Sequence, residues 1–535
     1  MKTFDYVIAG AGAAGCVLAY RLSENPAISV ALIEAGGSHD HPFIHMPKGI
    51  VKAMADAARL YVYSAEPEDG NAHKPEFWVR GRVMGGSSTV NGMMYVRGQP
   101  EDFDEIAAMS SDDWSWKHIK DCYRAMENHE LGAGKTRGDK GPLNISLPDR
   151  KSALTDAMVD AGVAMGLKRR NDSNEPDGGE AIAYAARTIY QGKRVSAATA
   201  FIDPIRQRPN LTVISGALVD KINFEGRRAK SVTVLMTATK QSETITANRE
   251  ILIAGGAMAS PGILQRSGIG PAKLLGDLGI PVVQDSPDVG QKLLEHRGII
   301  AQWKLNNGLS DNNQFSGWRL VKNVIQYFLT SKGPMTGATY EIGAWFKSRP
   351  EVKRPDIQFL VAPYSFDFAA NRMKLETFPG MTIVGYPLRP TSHGEINIKT
   401  TDPTVLPVLK PHYRSTDHDR QLMIETIKTA RRYTAQKPLC DMIEVETFPG
   451  PQCKTDDEII DAFDKDGTCG YHAVGSCRMG SDAGSVVDPQ CRVRGVDGLR
   501  VIDTSIMPQI PAGNTNGPTM AMAWRAVDII RRDSK

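Results

Sequence analysis

The stretch from Tyr6 to Glu34 constrains this chain most. Tyr6-Val-Ile-Ala9 is a short apolar run that meets Gly10-Ala-Gly12-Ala13-Ala14-Gly15, and Cys16-Val-Leu-Ala-Tyr-Arg-Leu22 can continue as a helix. Strand, glycine turn and helix in that order predict the opening of a βαβ unit, the start of a doubly wound α/β fold. Gly10 permits the tight turn, Gly12 leaves room for a pyrophosphate to touch backbone, and Gly15 lets the helix pack close to the strand. The helix N-terminus, with the small Ala13 and Ala14, then faces the phosphates. A second apolar run, Ser29-Val-Ala-Leu-Ile33, ends in Glu34 and Ala35, where the motif places a carboxylate for a ribose hydroxyl. The acid favours an unphosphorylated adenosine ribose, as in NAD or FAD, and these residues alone do not separate the two.

A chain of 535 residues is too long for one ordinary core and calls for two or more folding units. Its 64 Lys and Arg against 61 Asp and Glu leave a net charge of +3 with no basic run, which argues against nucleic acid as a partner. No apolar stretch reaches the roughly 18 to 20 residues that span a bilayer, and the N-terminus lacks the pattern of a signal peptide. The seven cysteines include no Cys-x-x-Cys pair and read as reduced thiols. A cytoplasmic location is the expectation.

Two further glycine-rich stretches follow. Gly81-Arg-Val83-Met-Gly85-Gly86-Ser-Ser-Thr-Val-Asn91-Gly92, continued by Met93, lets backbone amides approach a flat or anionic ligand. Gly255-Gly256-Ala-Met-Ala-Ser260-Pro261 follows the apolar run Ile251–Ala254, again strand then turn, with Ser260-Pro261 suited to starting a helix. Near the C-terminus lie Tyr471-His472-Ala-Val-Gly475-Ser-Cys477 and Asn514-Thr-Asn516-Gly-Pro518-Thr519.

With these motifs in this order the sequence closely resembles the glucose-methanol-choline oxidoreductases, over nearly its whole length. The resemblance implies FAD rather than NAD, bound by the N-terminal loop, by Val83, Gly85, Gly86, Asn91, Gly92 and Met93, by Val219 at the adenine, by Tyr471, and by Asp503, Pro518 and Thr519. It implies that His472 is the catalytic base and that Asn516 takes the second catalytic position. A neutral imidazole can accept the hydroxyl proton of an alcohol, and an amide can donate a hydrogen bond to the developing alkoxide. Glu341 sits where choline-oxidising relatives carry a carboxylate, which could hold a quaternary ammonium. The implied reaction is oxidation of an alcohol, taken as primary, to an aldehyde, with electrons passed to a quinone or other carrier. The alternatives are an oxidase that makes peroxide from oxygen and, in another class, a flavin-containing lyase without net redox turnover. Some relatives tether FAD through a histidine directly before the first-loop asparagine; here that residue is Val90, so noncovalent FAD is expected.

The motifs are scattered, so the Rossmann-type FAD-binding domain is expected to be discontinuous, formed by residues 1–150, 196–304 and 466–535. Residues 151–195 and 305–465 would form an α+β substrate domain with an antiparallel sheet, to which the alternating Asp356–Val361 and Gly394–Lys399 belong. Gln241–Arg249 and Leu131–Gly141 read as loops. Gly132-Ala-Gly134-Lys135-Thr136 resembles the end of a P-loop, but His129 stands where the loop needs glycine. His39, His41 and His45 complete no recognisable metal site and read as a solvated loop. The one Tyr-x-x-x-Lys, at Tyr433 and Lys437, lacks the upstream serine of NAD alcohol dehydrogenases. A homo-oligomer is compatible with all of this.

Overall fold

Burial on both faces turns strands into continuous apolar runs, and the N-terminal segments follow that rule. In the computed structural model, which describes residues 2–306, 308–368 and 374–534, Lys2–Ala9 and Val30–Glu34 pair in parallel with Ile8 opposite Leu32. Around them runs a seven-stranded sheet in the order Leu211–Ser215, Val30–Glu34, Lys2–Ala9, Ser242–Ile253, Arg228–Met236, Ala217–Glu225, with Leu499–Val501 also pairing with Ser242–Ile253. The helix Ala13–Leu22 packs against the C-terminal helix Asn516–Asp533. This is the expected dinucleotide-binding half, assembled from distant parts of the chain.

An eight-stranded sheet forms the second half. Its order is Ile443–Phe448, Arg297–Leu305, Gly380–Pro387, Ile357–Ala362, Ile342–Phe346, Ala181–Tyr184, Lys168–Arg169, and Thr468–Cys469 pairs with Arg297–Leu305. Residues alternate between its faces. Ile299, Phe359 and Ile383 join Leu154 and Met158 of the helix Ala153–Ala164, Ile424 and Ile427 of Asp417–Thr434, and Phe463 of Asp456–Asp466 in one core. On the opposite face Ile300 lies across from Val384, and Val384 across from Leu360. Those three residues look into the cavity described below.

Three expectations need correction. Gln241–Arg249 is not a loop: all but Gln241 of it belongs to the long strand Ser242–Ile253, whose Ile245 and Ala247 point inward between exposed neighbours. Arg297–Leu305 is an inner strand of the antiparallel sheet, so the boundary drawn after residue 304 falls before residue 297 in the structure. Glu395–Asn397 joins a separate four-stranded sheet with Val408–Lys410, Leu60–Ala65 and Glu76–Gly81, which bridges segments assigned to different domains. Leu131–Gly141 does lie outside helices and strands.

Candidate active site

Between the two sheets lies a cavity of about 1070 Å³, at the upper end of the roughly 300–1,000 Å³ usual for ligand sites. Its floor is the N-terminal glycine turn. Gly10 has φ +114°, and a Cβ there would meet the Ala254 carbonyl oxygen at 2.5 Å. At Gly12 a Cβ would meet nothing within 4 Å, so the backbone is open on that side, whereas at Gly15 it would lie 1.9 Å from the Gly10 oxygen. Tight turn, open side and close packing are thus divided among the three glycines. Glu34 closes the site: its two carboxylate oxygens accept the amide N–H of Ala11 at 3.1 Å and of Gly36 at 2.9 Å. Burial pushes its carboxyl up to about 7, so a further donor such as a ribose hydroxyl would be welcome there.

Of the other residues expected around a dinucleotide, Ala13, Ala14, Ala35, Gly86, Asn91, Gly92, Met93, Val219, Tyr471, Asp503 and Thr519 line the cavity. Gly15, Val83, Gly85 and Pro518 do not; they shape it from behind. Gly85 donates its amide to the Ala11 carbonyl at 2.8 Å, Val83 bridges to Gly37, and Pro518 is buried in the first turn of the C-terminal helix. Asp503 is anchored by Gly256 N–H at 2.9 Å, Ser260 Oγ at 2.6 Å and Ser505 N–H at 2.8 Å. Asn91 Oδ1 accepts from Arg194 Nη1 at 2.9 Å and from Met93 N–H at 3.0 Å, which commits the acceptor side of this amide and leaves its Nδ2 as donor. Val90 also lines the cavity and has no nucleophile. His39 and His45 are paired instead with Asp203 and Asp40, at 3.0 and 3.1 Å.

His472 stands at the other end of the cavity, 6% exposed, and its surroundings assign its protons. The Leu388 carbonyl can only accept, so His296 Nε2, 3.3 Å away, carries hydrogen. Burial holds His296 down to about 3, so its ring is neutral and its Nδ1 is a lone pair. That lone pair faces His472 Nδ1 at 2.9 Å, and His472 Nδ1 must therefore donate. Burial first, then His296 and Arg80, hold His472 well below its ordinary value, so its remaining nitrogen, Nε2, is a free base. Asn514 Nδ2 donates to it at 3.0 Å. The backbone is fixed as firmly: Glu295 Oε1 accepts the N–H of His472 at 2.7 Å and of His296 at 2.9 Å, and the Tyr386 ring stacks on His296 at 5.0 Å.

The partner of His472 is therefore Asn514, where Asn516 was expected. Asn516 begins the C-terminal helix and also lines the cavity, but Asn514 precedes the helix, and its side chain is the one that meets the imidazole. The Asn-Thr-Asn repeat offered two choices two residues apart, and only the helix start separates them. Glu295 and His296 were missed; an adjacent Glu-His before the apolar run Gly298–Ala301 was the available signal.

Met94, Ile300, Tyr340, Leu360, Val384 and Tyr386 form one apolar cluster that walls the cavity, with the Tyr386 ring 5.6 Å from that of His472. Glu341 is not part of that wall. Its neighbour Tyr340 lines the cavity, while Glu341, half-buried, interacts with Lys48; desolvation raises its carboxyl and Lys48 opposes the rise. The expectation of a substrate-holding carboxylate at Glu341 fails because adjacent residues of an extended chain face opposite sides.

The sequence matches the GMC oxidoreductase family models over residues 4–297 and 390–523. It is 37% identical to an oxygen-dependent choline dehydrogenase of Yersinia pseudotuberculosis over 99% of this chain and 94% of that protein. It is 35% identical to an alcohol dehydrogenase [acceptor] of Pseudomonas putida over 99% and 96%. The structure superposes on pyridoxine 4-oxidase from Mesorbium loti with a TM-score of 0.88 and 29% identity, covering 99% of each chain. The chain belongs to the GMC oxidoreductase family, and FAD is the dinucleotide its cavity fits.

Proposed function

We propose that this flavoenzyme oxidises an uncharged, largely apolar primary alcohol to the aldehyde and passes the electrons to a quinone or other carrier. The observation that carries the reading is the unprotonated Nε2 of His472, which accepts from Asn514 Nδ2 in the cavity that Ile300, Tyr340, Leu360 and Val384 also line. FAD, when bound, supplies the acceptor for the hydride that leaves the carbinol carbon. His472 Nε2 accepts the hydroxyl proton, and its base strength is available at neutral pH because the ring is already neutral. Asn514 Nδ2 donates to the oxygen as negative charge gathers there. Apolar side chains orient the substituent and exclude water.

A quaternary ammonium would lose its hydration against this wall and gain only tyrosine faces there, since Glu34, Glu76, Asp464 and Asp503, which also line the cavity, are not part of the wall. The choline dehydrogenases among the relatives make choline the comparison to run. Anaerobic mixing with aliphatic, aromatic and amino alcohols tests the reading: apolar primary alcohols bleach the flavin at lower concentration than choline does. Bleaching by choline alone would overturn the substrate class, and no bleaching by any alcohol would overturn the reaction. The oxygen-dependent relative supports a second reading, in which oxygen is the acceptor; stopped-flow reoxidation in air distinguishes the two.

A further inference from the structure

The helix Gly317–Thr330 is apolar on both sides. Leu320, Val324 and Tyr327 pack inward against Phe43, Met46 and Met335. On the opposite side Trp318, Val321, Ile325, Phe328 and Leu329 are 69%, 59%, 54%, 55% and 79% exposed. Their spacing of three, four, three and one puts them in one stripe of helix surface. A single exposed leucine needs no explanation, but five large apolar side chains in line do.

The charge carried by the helix itself is of one sign. From Asn312 to Tyr340 the sequence holds Arg319, Lys322 and Lys332 and no Asp or Glu. None of these three cations forms an ion pair among the described residues, and Lys322 lies 5.8 Å from the Trp318 ring centroid. The helix also stands close to the active site. It leads through Pro334–Thr336 to Thr339 and Tyr340, which line the cavity. Pro47–Gly49 packs on that link and runs into Ile50–Met54, where Ile50 and Met54 line the cavity and Val51 is 47% exposed.

We propose that this face docks the enzyme on an anionic lipid bilayer. A helix with an apolar face, a tryptophan, cations on its flank and no acid matches what holds a protein in the plane of a membrane interface. A second copy of the chain is a poorer occupant, because a two-fold contact through this face would bring Arg319, Lys322 and Lys332 of both copies together. Docked this way, the cavity wall at Ile50, Met54 and Tyr340 lies near the lipid, where apolar alcohols and quinones concentrate. The docking stands apart from the identity of the substrate, and its test uses none.

Holoenzyme is sedimented with vesicles of phosphatidylcholine containing phosphatidylglycerol, and with vesicles of phosphatidylcholine alone. The expected result is binding to the anionic vesicles that weakens with salt, and an at least tenfold lower partition for the double variant Ile325→Glu, Leu329→Glu. Flavin content and the thermal unfolding midpoint stay at wild type. If that variant loses its flavin, Trp318→Ser, Val321→Ser serves in its place. Failure of the wild type to bind either vesicle overturns the proposal, as does unchanged binding of a folded variant. A wild-type dimer in sedimentation velocity that becomes monomeric in the variant, without vesicle binding, assigns the face to a second copy and overturns it too.

Discussion

Replacing His296 by Leu should slow reduction of the flavin without touching the base itself. His472 Nδ1–H is buried and donates to His296 Nδ1 at 2.9 Å. Leucine removes the acceptor, and a buried donor left without a partner costs about 1–3 kcal/mol. His472 can escape that cost by moving its hydrogen to Nε2, the nitrogen that must accept the substrate proton. The penalty therefore falls on the competent tautomer alone. At about 1.4 kcal/mol per tenfold, the rate of anaerobic flavin reduction drops roughly 5- to 150-fold. Stopped-flow absorbance with FAD content measured in parallel is the assay. His296→Gln, whose side-chain oxygen can accept from Nδ1–H, should recover part of the rate, an outcome that mere loss of packing against Tyr386 would not give. A folded, FAD-replete His296→Leu enzyme that reduces its flavin within twofold of wild type would refute the proton assignment.

Three other outcomes follow from the same geometry. Asn514→Ala should slow flavin reduction roughly 10²- to 10³-fold, the scale of one lost oxyanion donor, and Asn516→Ala by less than about tenfold; equal losses would remove the distinction drawn between them. Because burial, His296 and Arg80 hold His472 well below its ordinary value, its base form is already complete at mildly acid pH, and the reduction rate should stay flat as pH falls from 8 to 6; a decline centred on the ordinary histidine value of about 6.5 would contradict this. Val90 offers no nucleophile, so acid denaturation should release all flavin to the supernatant, and yellow precipitated protein would show a covalent link.

What was legible in the sequence was whatever a short contiguous stretch dictates. Gly10, Gly12, Gly15 and Glu34 lie within one βαβ unit, where backbone conformation and spacing alone fix each role. His472 was singled out only through its place in an ordered set of motifs. The His472–His296 contact joins residues 176 apart, and no local pattern announces such a pairing. Asn514 and Asn516 differ only by where the last helix starts, and helix ends are the least predictable feature of a sequence. Glu341 was misplaced because facing depends on the local extended register, which nothing before Ile342 reveals. The strand Ser242–Ile253 was hidden by its polar outward residues, although Ile245 and Ala247 carried the alternation. No motif marks the stripe from Trp318 to Leu329 in the sequence; only its exposure in the fold shows that it is uncovered.

The account stands on a neutral His472 taking the substrate proton at an FAD held beside it. The most direct measurement is anaerobic flavin reduction by an apolar primary alcohol in wild type and in His472→Ala, each with its FAD content determined. The prediction is rapid bleaching in wild type and a rate lower by roughly 10² or more in the variant, with FAD content unchanged. Bleaching of the variant at the wild-type rate would contradict the account.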